Sequence, residues 1–367
     1  MSSMYRAENI GSLLRPAYLK DARKAWGAGQ LPTAEFKRIE DRAVDAVIAL
    51  QEAAGVDIIT DGEMRRLVFT GTLTEAIDGI TSVSSPAWHW HGQTPQDEMD
   101  FQLPVCVTGK IRRRRSLATE EFAYARAKAR KPLKMTLPSP LMLSLFWSPQ
   151  HSTAAYSDPF ALFADAVDIL RQEVRELAGM GCQYIQIDAP ELATLVDETQ
   201  RRATYEARGV SPERMLGEGV EMLNALVDAP GVTFGLHLCR GNNAGHWMSQ
   251  GGYDAISKQI FKRATKYDVF LLEYDDWRSG SFEPLTDIAR DKTVVLGLIS
   301  TKKNEMESAD GLVARINEAS RYFPRENLAL SGQCGFASVM QGNPVSEATQ
   351  EAKLRLVTDV ARRVWQS

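Results

Sequence analysis

Short runs rich in valine, isoleucine and leucine recur along the chain of 367 residues, and longer stretches with helical spacing of apolar positions separate them. Such alternation is typical of parallel α/β folds, in which buried strands take turns with amphipathic helices. The runs are Asn9–Leu14, Val56–Asp61, Leu133–Leu137, Tyr184–Asp188, Val232–Cys239, Val269–Tyr274, Thr293–Ser300 and Leu328–Cys334. Eight parallel strands with a helix after each predict an α/β protein of the (β/α)8 class, the TIM barrel.

Signals for helix ends flank several of the amphipathic stretches. Thr33 is a good N-cap for a stretch that stops at Gly55, and Asp158 and Ser211 each precede a proline. Ser, Thr and Asp accept hydrogen bonds from the first helical N–H groups, and proline suits the first turn. We therefore predict helices beginning near these positions, and a last amphipathic helix that includes Leu354 and Val364.

One segment interrupts the alternation between the second and third runs. Residues 81–129 contain Trp88-His-Trp-His91 and then the alternating stretch Phe101–Val107. We expect an insertion there, a β-hairpin plus a helix, within a single domain covering residues 1–367. The His-x-His pattern suggests metal, but without a third ligand we expect surface packing. The basic run Lys110–Arg115 is expected to be a solvated strand end, the alternative being a clamp for an anionic substrate.

Composition and charge exclude several classes of protein. The chain is 44% hydrophobic and 25% charged, which is typical of a globular protein and not of a disordered one. Its net charge of −4 gives no reason to expect nucleic acid or an anionic membrane as partner. It shows neither a membrane-spanning apolar run nor a signal peptide at its start, so we expect a cytoplasmic protein. The 4 cysteines are too few for a disulfide scaffold.

Metal-binding residue types gather at the carboxyl ends of the predicted strands, where a barrel carries its active site. His237 and Cys239 end the fifth run, Glu273 ends the sixth and Cys334 ends the eighth. Residues i and i+2 of a strand point to the same face, so His237 and Cys239 can bind one ion. An imidazole, two thiolates and a carboxylate are suitable ligands for a tetrahedral Zn²⁺.

Two thiolate ligands would determine what such a zinc is for. They weaken it as a Lewis acid, so it suits the stabilisation of a third, substrate thiolate better than the activation of water. Glu273 would be the ligand that leaves when the thiol binds. The alternative is that the cysteines are ordinary buried residues and that Glu273 pairs with Arg240 or Arg278. Cys106 and Cys182 do not end predicted strands, and we expect both to be small buried residues.

Further polar residues stand at the same strand ends. Glu63 and Asp188 could receive the ammonium group of an amino-acid substrate, with Ser12 meeting its carboxylate. The nearby Glu191 is a further candidate for substrate binding. Ordinary surface ion pairs are the alternative. Trp147 could stack on a flat heteroaromatic donor, or it could be an aromatic residue at the rim of the site.

These motifs resemble one known family along nearly the whole chain. The stretches that carry the resemblance are Ile10-Gly-Ser12, Asp61-Gly-Glu63, Tyr184–Glu191, His237-Leu-Cys239, Asp268–Glu273 and Gln333-Cys-Gly335. In them the chain resembles the catalytic barrel of cobalamin-independent methionine synthase and its single-domain relatives, which include epoxyalkane:coenzyme M transferase.

The resemblance implies a methyltransferase with Zn²⁺ on the four ligands named above and a small thiol as acceptor. It also implies that Ser12, Glu63 and Asp188 hold the amino-acid end of homocysteine, and that an aromatic residue near Trp147 lies at the methyl donor.

The sequence departs from the family in two respects. Full-length synthases carry an additional N-terminal barrel without a counterpart here, so the donor stays open between methyltetrahydrofolate and a simpler methyl or alkyl donor. The family's histidine after the seventh strand, which protonates the leaving nitrogen, is replaced by Leu298–Lys303. Lys302 or the Asp61/Glu63 pair would then serve as the acid.

The leading hypothesis is zinc-dependent transfer of a methyl or alkyl group to a thiol, with S-methylation of homocysteine first. One alternative is alkylation of another thiol such as coenzyme M. Another is a metal-free lyase similar to uroporphyrinogen decarboxylase, in which Lys110–Arg115 binds a polycarboxylate and Asp188 protonates it.

Overall fold

The computed structural model describes residues 5–92 and 94–365. The strands in chain order are β1 (Ile77–Thr81), β2 (Trp88–Trp90), β3 (Met99–Phe101), β4 (Cys106–Arg113), β5 (Met135–Pro138), β6 (Tyr184–Asp188), β7 (Thr233–Leu238), β8 (Val269–Glu273), β9 (Thr293–Ile299) and β10 (Leu328–Gly332). The helices are α1 (Ala17–Gly27), α2 (Thr33–Ala54), α3 (Gly71–Thr74), α4 (Thr119–Lys128), α5 (Pro159–Gly179), α6 (Pro190–Ala193), α7 (Glu198–Gln200), α8 (Pro212–Arg214), α9 (Val220–Leu226), α10 (Ser257–Ile260), α11 (Ala309–Ala319) and α12 (Glu347–Trp365).

The six strands from β5 to β10 form a parallel sheet in which each strand pairs with the next along the chain. These strands confirm six of the predicted runs, with ends that differ by at most two residues. The register places Asp188 of β6 opposite Pro138 of β5 on one side and opposite His237 of β7 on the other. Because the strands are parallel, their carboxyl ends lie at one edge of the sheet.

The first two predicted strands, Asn9–Leu14 and Val56–Asp61, are not formed as strands, so this part of the prediction is wrong. The chain makes isolated parallel bridges instead, which join Ala7 to Leu330, Glu8 to Ile58 and Ile59 to Leu133. The side chain of Gln51 explains part of the difference. It accepts the backbone N–H of Thr60 at 3.0 Å and donates to the carbonyl of Thr60 at 2.7 Å. A side chain of α2 thus hydrogen-bonds the backbone groups of Thr60 that a neighbouring strand would otherwise bind.

The predicted helix starts and ends are confirmed, but Thr33 is not an N-cap: it is the first residue of α2, Pro32 holds the cap position, and no described side chain caps the start of this helix. The helix α2 ends at Ala54 before Gly55, which has a left-handed φ of 89°. The helix α5 starts at Pro159, and the side chain of Asp158 accepts the N–H of Phe160. The proline after Ser211 starts α8, and a π-helical turn leads from there into α9. Apolar side chains of α5 and of the sheet share one core, and no helix in the described ranges is long and apolar enough to cross a membrane.

Residues between α3 and β5 form two antiparallel pairs and a helix. β1 pairs with β4, β2 pairs with β3, and α4 follows. In the second pair Trp88 lies opposite Phe101 and His89 lies opposite Asp100. This small sheet adds a wall beside the carboxyl edge of the parallel sheet, because Trp88 and Phe101 line the cavity found there.

Candidate functional site

Three predicted metal ligands meet beyond the carboxyl edge of the sheet. His237 lies near the end of β7, Cys239 follows that strand, and Cys334 follows β10. The ligand atoms of these three side chains all lie within 4.8 Å of one another, and the two sulfurs are 3.7 Å apart. All three residues are buried. Three soft or borderline ligands at such separations can surround one zinc-sized ion.

The orientation of His237 fits a metal ligand. Its Nδ1 lies 3.1 Å from the carbonyl oxygen of Leu271 and donates to it, which leaves Nε2 as the nitrogen that can bind a metal. That Nε2 is buried and has no hydrogen-bond partner in the described part of the chain. Since an unpaired buried polar atom is costly, this nitrogen needs a partner from outside the chain.

The two cysteines hold their protons unequally. The hydrogen bond with Cys239 and the neighbouring His237 hold the pKa of Cys334 well below its ordinary value. The hydrogen bond with Cys334 and burial raise the pKa of Cys239 well above it. Cys334 is therefore the more acidic of the two thiols, and the thiolate is the form that binds a metal. Cys106 and Cys182 are buried away from this pair and donate to backbone carbonyls, which confirms their expected structural role.

Glu273, the fourth predicted ligand, does not join this cluster. One carboxylate oxygen accepts the N–H of Arg240 at 2.6 Å, and the other accepts from Lys302 Nζ at 2.9 Å. Arg278 adds an ion pair at 3.4 Å. Burial alone would raise the pKa of Glu273, but Lys302, Arg278 and Arg240 hold it down at about 2. The carboxylate is thus ionised and engaged by cations, which is the alternative that the sequence left open.

A cavity of about 960 Å³, counting its open mouth, adjoins the cluster. His237, Cys239 and Cys334 form part of its lining. Four of the predicted substrate residues also line it, and they are Ser12, Glu63, Asp188 and Glu191. The structure therefore brings three of the four predicted metal ligands and four of the five predicted substrate residues into one space.

The three carboxyl groups of the cavity have different environments. Glu63 accepts from Thr136 Oγ1 at 2.8 Å, and its backbone has a left-handed φ of 54°. Burial raises the pKa of Asp188 to about 7, although the neighbouring His237 opposes the shift. Burial raises the pKa of Glu191 to about 8, although Ser139 donates to it at 2.5 Å. One oxygen of Glu63 and one of Glu191 are buried without a partner among the described residues.

Two glycines allow this close packing. A Cβ on Gly335 would collide with the Oγ of Ser12, and a Cβ on Gly11 would lie 2.8 Å from a carboxylate oxygen of Glu63. Glycine at both positions therefore brings the segment after β10 against Ser12 and lets Glu63 reach the cavity.

Besides Glu273, three more predicted residues lie outside the cavity lining. Trp147 is buried in the hydrophobic core, and its indole N–H donates to the carbonyl of Arg208 at 3.0 Å. Asp61 accepts the backbone N–H of Glu63 at 2.9 Å and so supports the unusual backbone of that residue. Lys302 is bound to Glu273, and although burial lowers its pKa, Glu273 raises it above the ordinary value. A lysine with a raised pKa holds its proton and is a weak acid.

Sequence reasoning missed the aromatic wall of the cavity, which includes Trp88, Trp90 and Phe101. The signal was the alternation in Trp88-His-Trp-His91, because alternate side chains of a strand point to opposite faces. The two tryptophans are buried against the cavity, whereas the two histidines lie at the surface. There His89 and His91 form a second group with Glu98, whose ligand atoms lie within 4.8 Å of one another.

Comparison with known proteins adds an independent result. The model of the family described as "Cobalamin-independent synthase, Catalytic domain" matches residues 6–363. The uncharacterized protein YxjH of Bacillus subtilis is 34% identical, over 98% of this chain and 95% of that protein. The methionine synthase of Saccharolobus solfataricus is 24% identical, over 89% of this chain and 86% of that protein.

A solved structure gives the same picture of the fold. The B12-independent methionine synthase of Shewanella sp. W3-18-1, determined in complex with selenomethionine, matches with a TM-score of 0.76 at 21% identity. The match covers 99% of this chain and 98% of that one. The two chains therefore share an α/β fold over almost their whole lengths.

Proposed function

The chain belongs to the family of cobalamin-independent methionine synthase catalytic domains and is a methyltransferase, and on that premise we propose that it methylates the sulfur of homocysteine at a zinc site. The observation that carries the proposal is the buried cluster of His237, Cys239 and Cys334 beside a cavity lined with carboxyl groups. These three residues would hold the zinc. Bound there, zinc would keep the substrate thiol in its thiolate form at neutral pH.

The cavity carboxylates would orient the amino-acid end of the substrate. Asp188 lies next to His237 in the sheet register, and Glu63 lines the same space with one unpartnered oxygen. An ammonium group between Glu63 and Asp188 would supply that partner and stabilise both ionised carboxylates. Ser12, held close by Gly335, would meet the substrate carboxylate.

Glu273 remains part of the proposal as the displaceable fourth ligand. Its contacts with Lys302 and Arg278 support a resting position for the carboxylate when the substrate thiol occupies the fourth place. Burial of the ion pair between Glu273 and Lys302 favours a defined position over free rotation.

We also propose that one domain, residues 1–367, folds as a closed (β/α)8 barrel with residues 81–129 inserted. Isolated parallel bridges support closure of the barrel. They join Leu330 of β10 to Ala7, Glu8 to Ile58, and Ile59 to Leu133, which precedes β5. These bridges occupy the places that the first two strands would take between β10 and β5.

The alternative functions receive less support. A polycarboxylate-binding lyase would need the basic run at the cavity, but Arg113 pairs with Glu173 and Glu176 and Lys110 lies near Asp165. Apart from the proposed metal ligands and Tyr205, the ionisable side chains among the described lining residues are carboxyl groups. An anionic thiol such as coenzyme M would find no cation there.

Two measurements on purified protein test the proposal. The wild type should contain about one zinc per chain, a Cys239→Ser, Cys334→Ser double variant should contain none, and Cys182→Ser is the matched control that should keep it. Homocysteine should release about one proton on binding to the zinc-loaded protein near neutral pH, because a metal-bound thiol is deprotonated. Full activity in metal-free protein, or binding without proton release, would refute the proposal.

A further inference from the structure

The charge of the cavity lining is one-sided. Three carboxyl side chains line it, Glu63, Asp188 and Glu191, and no lysine or arginine is found among the lining residues that the structure describes. A methyl donor with a polyanionic tail would therefore meet no compensating cation, and burial of its charge would be costly.

Basic side chains close to the cavity are already engaged. Arg208 lies behind the wall, with its guanidinium carbon 5.5 Å from the ring centroid of Trp88, and it donates to the carbonyl of Ala87 at 2.8 Å. It is 4% exposed and does not belong to the described lining of the cavity. In the inserted segment Arg113 is held by Glu173 at 2.5 Å. Neither arginine belongs to the described residues that line the cavity, so neither is placed to bind an anionic donor inside it.

The rest of the wall is aromatic. The lining includes Phe69, Trp88, Trp90, Phe101, Phe146 and Tyr205. The negative faces of aromatic rings attract cations, and cages of such rings bind methylated ammonium groups. Glu191, which shares this lining, has one buried oxygen without a partner in the described structure. If the substrate ammonium group occupies Glu63 and Asp188, Glu191 is left for a second positive charge. Such a charge beside it would oppose the effect of burial and favour the ionised carboxylate.

We propose that the methyl donor is a compact onium compound, a quaternary ammonium or a sulfonium, received by the aromatic wall and Glu191. This inference rests on the proposed methylation of homocysteine and names its donor class. The substrate thiolate attacks the methyl carbon, and a C–S bond forms as the bond from that carbon to the positive nitrogen or sulfur breaks. The leaving atom keeps the electron pair and departs as a neutral amine or thioether.

This donor class removes the need for a general acid. A neutral nitrogen donor needs a proton on its leaving atom, whereas an onium donor carries its activation with it. Of the residues expected to supply that proton, Asp61 and Lys302 lie outside the cavity lining and Glu63 lies in it. Glu63 is assigned to the ammonium group of homocysteine, so an onium donor leaves these residues without a proton to deliver.

A binding experiment separates charge from shape. Choline and its uncharged carbon isostere, 3,3-dimethyl-1-butanol, are titrated calorimetrically into zinc-loaded protein saturated with homocysteine. We expect choline to bind at least about tenfold more tightly than the isostere. Glu191→Gln should weaken choline about tenfold and leave the isostere unchanged. Glu98→Gln, on the outer face of the β2–β3 pair, is the matched control and should change neither. Equal affinity of the two probes would overturn the proposal.

Two checks keep this result distinct from other failures. Zinc content and proton release with homocysteine report on folding and on the proposed methylation, independently of the donor. If the Glu191→Gln variant has lost zinc or proton release, Trp90→Leu is used to test the aromatic wall instead. This variant should show the same loss of choline affinity.

A transfer experiment tests the chemistry. Trimethylsulfonium with ¹³C-labelled methyl groups should deliver label to homocysteine, and 5-methyltetrahydrofolate triglutamate should not. Transfer from the folate without transfer from the sulfonium would overturn the donor class, while normal proton release would leave homocysteine methylation standing.

Discussion

Asp188 occupies the residue position at which substrate recognition can be tested most directly. It lies opposite His237 in the sheet register and lines the cavity. A charge-assisted contact contributes about 1.5–3 kcal/mol, so Asp188→Asn should weaken homocysteine binding roughly ten- to a hundredfold. Zinc content should stay unchanged. Titration with mercaptoethanesulfonate, a thiol without an amino group, is the control, and an equal loss for that thiol would argue against an amino-acid pocket.

Glu273 and Lys302 form a buried ion pair whose energetics can be measured. Their side chains are 0% and 3% exposed, and the contact is 2.9 Å. Removing one partner leaves the other charge buried and unpaired, so Glu273→Gln should lower the free energy of unfolding by about 3–5 kcal/mol. The double variant with Lys302→Met should recover much of that loss in denaturant unfolding.

The same variant separates two roles of Glu273. If this carboxylate is a displaceable metal ligand, Glu273→Gln should lose zinc to a chelator more easily than the wild type, but only when homocysteine is absent. If the variant retains zinc equally well with and without homocysteine, Glu273 is not a displaceable metal ligand. Its role is then limited to the ion pair with Lys302.

At the scale of elements, the pairing of β2 with β3 shows how register distributes chemistry. Trp88 and Trp90 face the cavity, and His89 and His91 face outward beside Glu98 and Asp100. A register slip of one residue would exchange the two faces. The order of residues in this short strand therefore decides whether the cavity has an aromatic or an imidazole wall.

Glu173 couples two helices and gives a stability prediction. It belongs to α5, is fully buried, and accepts the backbone N–H groups of Leu117, Ala118 and Thr119 at the start of α4. Glu173→Ala would leave these three backbone donors unpaired, while Arg113 would keep its contact with Glu176. We therefore expect a loss of about 3–5 kcal/mol in the free energy of unfolding. Glu176→Ala is the matched control, since Glu176 binds the same arginine but is 41% exposed, and it should cost less than about 1 kcal/mol. Similar losses in both variants would contradict the capping role.

Across the whole molecule, buried carboxyl groups give stability a definite pH dependence. Burial raises the pKa of Glu121 and Asp188 to about 7 and that of Glu191 to about 8. From about pH 4.5 up to these values, the unfolded chain has released protons that the folded chain retains. Unfolding therefore releases protons, and the free energy of unfolding falls as the pH rises from about 5 to 8.

Denaturant unfolding at several pH values checks this sign. Glu191→Gln should remove one of the protons that unfolding releases. The free energy of unfolding should then fall less steeply with pH, by about 1.4 kcal/mol per pH unit between about pH 5 and 8. Identical slopes for the wild type and Glu191→Gln would show that this carboxyl group is already ionised in the folded protein.

The sequence by itself determined the sheet strands from Leu133 onward, the main helix starts and the family. These depend on local periodicity, on caps such as Asp158, and on motifs such as His237-Leu-Cys239. Parallel strands bring their carboxyl ends to one edge, so residues at strand ends could be grouped as a site without coordinates.

Only the tertiary structure decided which of those residues share a space. Glu273 ends its strand as predicted, yet contacts with Lys302 and Arg240, distant in sequence, hold it away from the cysteines. Trp147 follows a strand end but points into the core, while Trp88 reaches the cavity from the inserted segment. Periodicity records which face of an element is buried, whereas the partner that buries it is fixed by contacts between distant parts of the chain.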